Sequence, residues 1–211
     1  MNRRSIGIGI GAVIGTALAV VLLVATFGSP MHLFFTPTET AAATGVSASD
    51  VEYEVVAEDL NVPWEVAVLD EDRYLVSERT GALVLLEDGE RHVLERFDEL
   101  DEPLLGEGGL LGIALHPDFS ENGYLYVYQT VDRDSVENTV RRFEVDLEAR
   151  EITNETVIID GIASDRIHNG GRIAFGPDGH LYVTTGDAAE PASAQGTASL
   201  SGRSLRLQAH V

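Results

Sequence analysis

Cysteine is absent from the 211 residues, which excludes disulfides, thiolate metal sites, a cysteine nucleophile and a lipid anchor on cysteine. Lysine is absent as well, so all 14 basic residues are arginine, and they face 35 acids for a net charge of -21. Without a cationic face, nucleic acid is excluded as a partner. A dense acidic surface repels itself in dilute salt and is tolerated where salt screens it, so the imbalance points to a halophilic source, an acidic mesophilic protein being the alternative. What the chain does have is 44% hydrophobic against 23% charged residues, the balance of a folded protein rather than a disordered one.

One long uncharged run stands at the start. Arg3 and Arg4 precede the segment from Ser5 to Phe27, whose 23 residues are enough to cross a bilayer as a helix and exceed the core of a usual cleaved signal. Residues 1–27 therefore read as a membrane anchor or signal segment, with the arginines inside and the rest of the chain outside. The small residues "TAAATG" at 40–45 keep a cleaved signal open. Residues 28–50 form a Thr/Ala/Ser linker in which Pro30 and Pro37 discourage helix.

From Val51 the pattern changes. "RYLVSE", "ALVLLE", "GYLYVYQT", "VRRFEVD" and "HLYVTTGD" are short Val, Leu, Tyr and Phe runs separated by Gly, Asp and Pro turns, which predicts all-β structure. A strand, an Asp-containing turn and a second strand recur three times. Aligning Val66, Ile113 and Ile173 gives intervals of 47 and 60 residues, the spacing of β-propeller blades with loops of variable length. A β-sandwich does not require the same signature three times, so residues 51–211 are predicted to be a partial propeller of about three blades. In that fold the loop before each innermost strand opens at the channel mouth. Two of the three copies carry glycine-rich loops there, "LGEGGLLG" at 105–112 and "HNGGR" at 168–172, and these aim Glu107 and His168 at one cavity.

Taken in order, "LNVPWEVAVL", "GEGGLLGIALHPDFSENGYLYV", "HNGGRIAFGPDGHLYVTTGD" and the weaker "AQGTASLSGRSLRL" at 194–207 resemble the soluble pyrroloquinoline quinone (PQQ) dependent aldose sugar dehydrogenases, the glucose/sorbosone dehydrogenases. The resemblance implies a six-bladed propeller with PQQ and calcium, oxidising an aldose at its anomeric carbon to a lactone. It places His168 as the base, in keeping with the ordinary chemistry of an imidazole near neutral pH. It also gives Glu107, Arg172 and Asp165 as cofactor- or substrate-facing residues, Asp165 being a candidate to orient His168 although Ile167 stands where relatives place an acid. No metal ligand is assigned.

Six blades need over 300 residues at about 50 each, so the resemblance predicts a chain that stops mid-propeller, without the later "HRNPQG"-type segment and with an incomplete site that a second copy could complete as a homo-oligomer. Two alternatives accompany the enzyme reading: a non-catalytic, membrane-anchored propeller fragment, and a calcium-dependent lactonase-type propeller. Trp64 is expected in a blade core, and His116 and His180 in structural turns. "LDEDR" at 69–73 and "VDRDSVEN" at 131–138 lack EF-hand spacing and read as solvated acidic turns. "NET" at 154–156 is an N-glycosylation sequon. No motif specifies the sugar or the electron acceptor. The charge excess generates a first prediction. The thermal midpoint should rise as salt goes from about 0.1 M towards molar concentrations, and a midpoint that does not move across that range would refute the halophilic reading.

Overall fold

The computed structural model describes residues 54–97, 106–132 and 135–208. All of them belong to one compact unit, Glu54–Val211. The expectations for the anchor segment 1–27 and the linker 28–50 lie outside the described residues.

Three antiparallel sheets follow one another along the chain. The first is built from β1 (Pro63–Val68), β2 (Arg73–Glu78), β3 (Ala82–Glu87) and β4 (Glu90–Arg96). The second holds β5 (Leu110–Leu115), β6 (Tyr124–Asp132), β7 (Val136–Asp146) and β8 (Glu151–Ala163), with the short helix α1 (Phe119–Asn122) in its first turn. β9 (Gly170–Phe175), β10 (His180–Thr185) and β11 (Ser204–Gln208) make the third, with a 3-10 turn at Ser193–Gln195 before β11. Within each sheet the strands pair in sequence order, and β5 packs against both β1 and β9. Stacking of this kind, sheet on sheet with the first strands adjacent, is a partial β-propeller, and the three aligned residues Val66, Ile113 and Ile173 fall on the three first strands.

Side-chain alternation explains why the sheets stack. On β6, Leu125 and Val127 point into a core shared with Leu75, Leu83 and Leu85 of the first sheet. The intervening Tyr126 and Tyr128 point the other way, into a core with Ile173, Leu181 and Val183 of the third. A strand buried on both faces must be apolar at nearly every position, which accounts for the unbroken "YLYVY". β10 is covered on one face only: Leu181 and Val183 are fully buried while Tyr182 is exposed.

Trp64 departs from expectation. It lies on β1, an edge strand of the first sheet, and is 37% exposed rather than packed in a blade core. The far face of that sheet is partly covered by Ala57 and Leu60, which leaves Val66 and Val68 open beside it. His116, by contrast, is buried in the turn after β5, where its Nδ1 accepts the Asp118 N–H at 3.1 Å. The acidic turn at 69–73 is closed internally. Asp70 accepts the backbone N–H groups of Asp72 and Arg73 and pairs with the Arg73 guanidinium at 2.7 Å. Asn154 of the sequon is exposed on β8 and donates from Nδ2 to Glu144 at 2.7 Å.

In the third sheet Asp178 holds the β9–β10 turn to β11. Its carboxylate accepts Arg206 Nε at 2.9 Å, the Tyr182 hydroxyl at 3.0 Å and the His180 N–H at 3.2 Å. Desolvation works against its charged form, but the bonds from Arg206, the His180 N–H and Tyr182 outweigh it and bring the carboxyl to about 2 from an ordinary 3.8. A depressed folded-state value means that the stabilisation is complete above about pH 4 and is lost as pH falls through about 2. Asp178→Asn should therefore lower the thermal midpoint at neutral pH, and its difference from wild type should shrink towards zero between pH 4 and pH 2. A difference independent of pH over that range would show that the charge of Asp178 contributes nothing.

Candidate active site

Two loops meet at the end of the sheets where the first strands begin. The loop before β5 carries Glu107, and the loop before β9 carries His168. They touch directly: the Glu107 N–H donates to Arg166 O at 2.7 Å, and Glu107 Oε2 accepts the His168 N–H, also at 2.7 Å. Glycine makes this contact possible. Gly106 has φ +49, and a Cβ there would collide with the Arg166 carbonyl, so no other residue fits so close to the opposing backbone. Arg79, at the end of β2, braces the same loop by donating from Nη1 to the carbonyls of Gly106 and Gly108.

His168 adopts φ +61, an uncommon and strained conformation for a residue with a side chain. It is held there from both sides, since its N–H is taken by Glu107 and its carbonyl accepts the Ala188 N–H at 3.1 Å. The imidazole stands 56% exposed, and its Nδ1 lies 2.9 Å from Asp187 Oδ1, a carboxylate only 24% exposed. An ionised carboxylate can only accept, so in the neutral imidazole Nδ1 carries the proton and the lone pair resides on Nε2. That is the tautomer a base needs, with its reactive nitrogen directed away from the residue that orients it.

Asp187, not Asp165, is therefore the acid that meets the imidazole. Asp165 shapes the loop instead: its Oδ1 accepts the Arg166 N–H at 2.6 Å and its own N–H donates to Asn169 Oδ1. The reason is topological. β10 runs antiparallel to β9, pairing Thr185 with Gly170, so the residues after Thr185 return to the level at which β9 starts. The motif "HLYVTTGD" already contained Asp187, and the hairpin register supplies the signal that could have identified it. Arg172, on β9, reaches past the second sheet to Glu65 of β1 and forms an ion pair with it, while remaining 58% exposed. Glu107 and His168 are thus brought together, Arg172 lies four residues on in the same strand and loop, and Asp165 contributes through the backbone. No three metal-ligating side chains converge among the described residues.

The chain's similarities accord with this arrangement. The family model described as Glucose / Sorbosone dehydrogenase matches residues 60–210. Quinoprotein glucose dehydrogenase B of Acinetobacter calcoaceticus is 28% identical over 162 residues, which is 72% of this chain and 33% of that protein. A glucose dehydrogenase-type oxidoreductase of Thermus thermophilus superposes with a TM-score of 0.68 at 40% identity, over 74% of this chain and 46% of the other. The PQQ-bound aldose sugar dehydrogenase of Streptomyces coelicolor gives a TM-score of 0.67 at 35% identity, over 74% and 47%. The chain spans a third to a half of the length of these relatives. Because the family match runs through all three sheets and includes Glu107, His168 and Asp187 alike, the chain belongs to the Glucose / Sorbosone dehydrogenase family.

Proposed function

We propose that this chain supplies the proton-accepting part of a site that oxidises an aldose at its anomeric carbon to the lactone. The observation that carries the proposal is the His168–Asp187 pair, which fixes the imidazole with Nδ1 occupied and Nε2 open. His168 Nε2 takes the proton of the anomeric hydroxyl. Asp187 keeps the ring in the required tautomer and stabilises the imidazolium that forms. Glu107, bound to the His168 N–H through Oε2, holds the base in place and has Oε1 available to accept a sugar hydroxyl.

PQQ, when bound, supplies the two-electron acceptor for the hydride that leaves the anomeric carbon. The residues present fit such a group in two respects. A base stands at an exposed, glycine-lined mouth, and the half-exposed Arg172 guanidinium retains donors for a cofactor carboxylate beyond the one given to Glu65. Asp165 is engaged in its own loop and is assigned no cofactor contact. Calcium is implied by the resemblance alone, and no ligand set for it is assigned.

His168→Ala should lower aldose-dependent dye reduction by about 10²- to 10⁴-fold in the purified protein supplied with PQQ, while the absorption band of bound quinone persists. Asp187→Asn should lower turnover in the same direction by leaving the imidazole free to rotate and to adopt the other tautomer. Quinone binding with no response to any aldose would favour a binding propeller over the enzyme, and full activity in His168→Ala would refute the assignment of the base.

We further propose that this site lies outside the cytoplasmic membrane. The reading is supported by the Arg3–Arg4 pair ahead of the 23-residue uncharged run. Among the described residues no helix is long and apolar enough to cross a membrane. Protease added to intact cells should cleave the segment after residue 28, and a full-length protected product would place the domain inside instead.

A further inference from the structure

Behind the two loops, the second sheet buries a run of polar side chains that the reaction does not use. Tyr128, Thr130, Asn138 and Asn169 are each 3% exposed or less. Buried polar groups are costly unless each finds a partner, and these are joined to one another. The Gly109 N–H donates to Thr130 Oγ1 at 3.0 Å, and that hydroxyl donates to Asn138 Oδ1 at 2.8 Å. Asn138 Nδ2 donates to Asn169 Oδ1 at 3.0 Å and to Ala163 O at 2.9 Å. Asn169 Nδ2 closes the loop by donating to Asp165 O at 2.7 Å, and the Tyr128 hydroxyl donates to Asn169 O at 2.8 Å.

Every donor in this sequence has an acceptor, and the bonds run in one direction from the backbone of the Glu107 loop to that of the His168 loop. Gly109 lies two residues after Glu107, and Asn169 is the residue after His168. The Thr130 N–H also donates to Gly109 O at 3.0 Å, which ties the first loop to β6 by two bonds. The amide orientations of Asn138 and Asn169 are fixed by backbone partners that act in one direction only: Ala163 O must face Asn138 Nδ2, Asp165 O must face Asn169 Nδ2, and the Asp165 N–H must face Asn169 Oδ1.

We propose that this buried relay sets the position of His168 relative to Glu107, and that Thr130 and Asn138 are positioning residues for the site although neither lies at the channel mouth. The inference rests on the reading of His168 as the base, but its structural content can be tested separately. Thr130→Val keeps the shape of the side chain and removes both hydroxyl bonds. Tyr128→Phe removes only the bond to Asn169 O, and serves as the second variant if the first fails to fold. Ile113→Val, in the apolar core between the first two sheets, is the control for simple destabilisation.

Hydrogen exchange and imidazole resonances, read by NMR on the purified protein without cofactor, give the decisive measurement. In Thr130→Val the side-chain amide protons of Asn169 should exchange at least about tenfold faster and the His168 ring resonances should move, neither occurring in Ile113→Val. In Tyr128→Phe the same two signals should respond while Gly109 does not. If Thr130→Val changes Gly109 alone and leaves Asn169 and His168 as they were, the loops are held independently and the proposal fails. With PQQ and aldose the same variant should lose about tenfold in kcat with little change in KM. Absence of aldose oxidation in every form, wild type included, would overturn the functional reading and leave the exchange result to decide the relay.

Discussion

Gly112 has no side chain, and that absence lets the third sheet come against the second. A Cβ at this position would strike the carbonyl of Gly171 and the amide of Ile173, so any other residue would force β5 and β9 apart. The bond from the His168 N–H to Glu107 spans the loops that precede these same two strands, and a shift of an ångström would break it. The reciprocal contact lies at Gly171, whose φ of +105 and close approach to Leu111 and Tyr128 leave no room for a Cβ. The meeting of the innermost strands is thus specified by glycines on both sides, and the mouth of the site inherits its geometry from that contact.

Around His168 two carboxylates have been given different work. Glu107 binds the backbone and Asp187 binds the ring. The division follows from direction rather than from residue type: Glu107 approaches from the neighbouring sheet at the level of the peptide, whereas Asp187 arrives from the adjacent strand of the same sheet, beside the imidazole. Two carboxylates at one mouth disfavour an anionic group there, and the guanidinium of Arg172, only part of whose capacity is taken by Glu65, is the group placed to offset this.

The repeat of strand, turn and strand was legible because each blade buries its strands with period two, and the double burial of β6 left an unbroken apolar run. Outer strands were not. β4 reads "ERHVLER" and β8 reads "EITNETVIIDGIA", sequences in which charged or polar residues interrupt the apolar alternation because the strands lie at sheet edges, where hydrogen bonds to β3 and β7 supplement the burial of a few side chains such as Leu94 and Ile162. Trp64 misled for a related reason: residue type suggests a core, whereas its place on the edge strand β1 exposes it. His168 and Glu107 were legible from their glycines, which mark close backbone approach. The partner of His168 was not, because proximity in sequence favoured Asp165, three residues away, and only the hairpin register brings Asp187 to it across 19 residues.

The backbone at this pair is strained on both sides. His168, Ala188 and Ala189 all have positive φ, at +61, +50 and +58, and each such residue costs on the order of 1 kcal/mol or more. The strain persists because the bonds that fix it are themselves part of the site. Asp187 Oδ1 accepts the Ala189 N–H at 3.2 Å while facing His168 Nδ1, and the His168 carbonyl accepts the Ala188 N–H. Gly186 stands between the two segments, where a Cβ would occupy the position of the His168 carbonyl oxygen. His168 and Asp187 are consequently locked through their main chains as well as their side chains. The imidazole has no need to search for Asp187 from an open loop, because the cost of ordering it is met during folding.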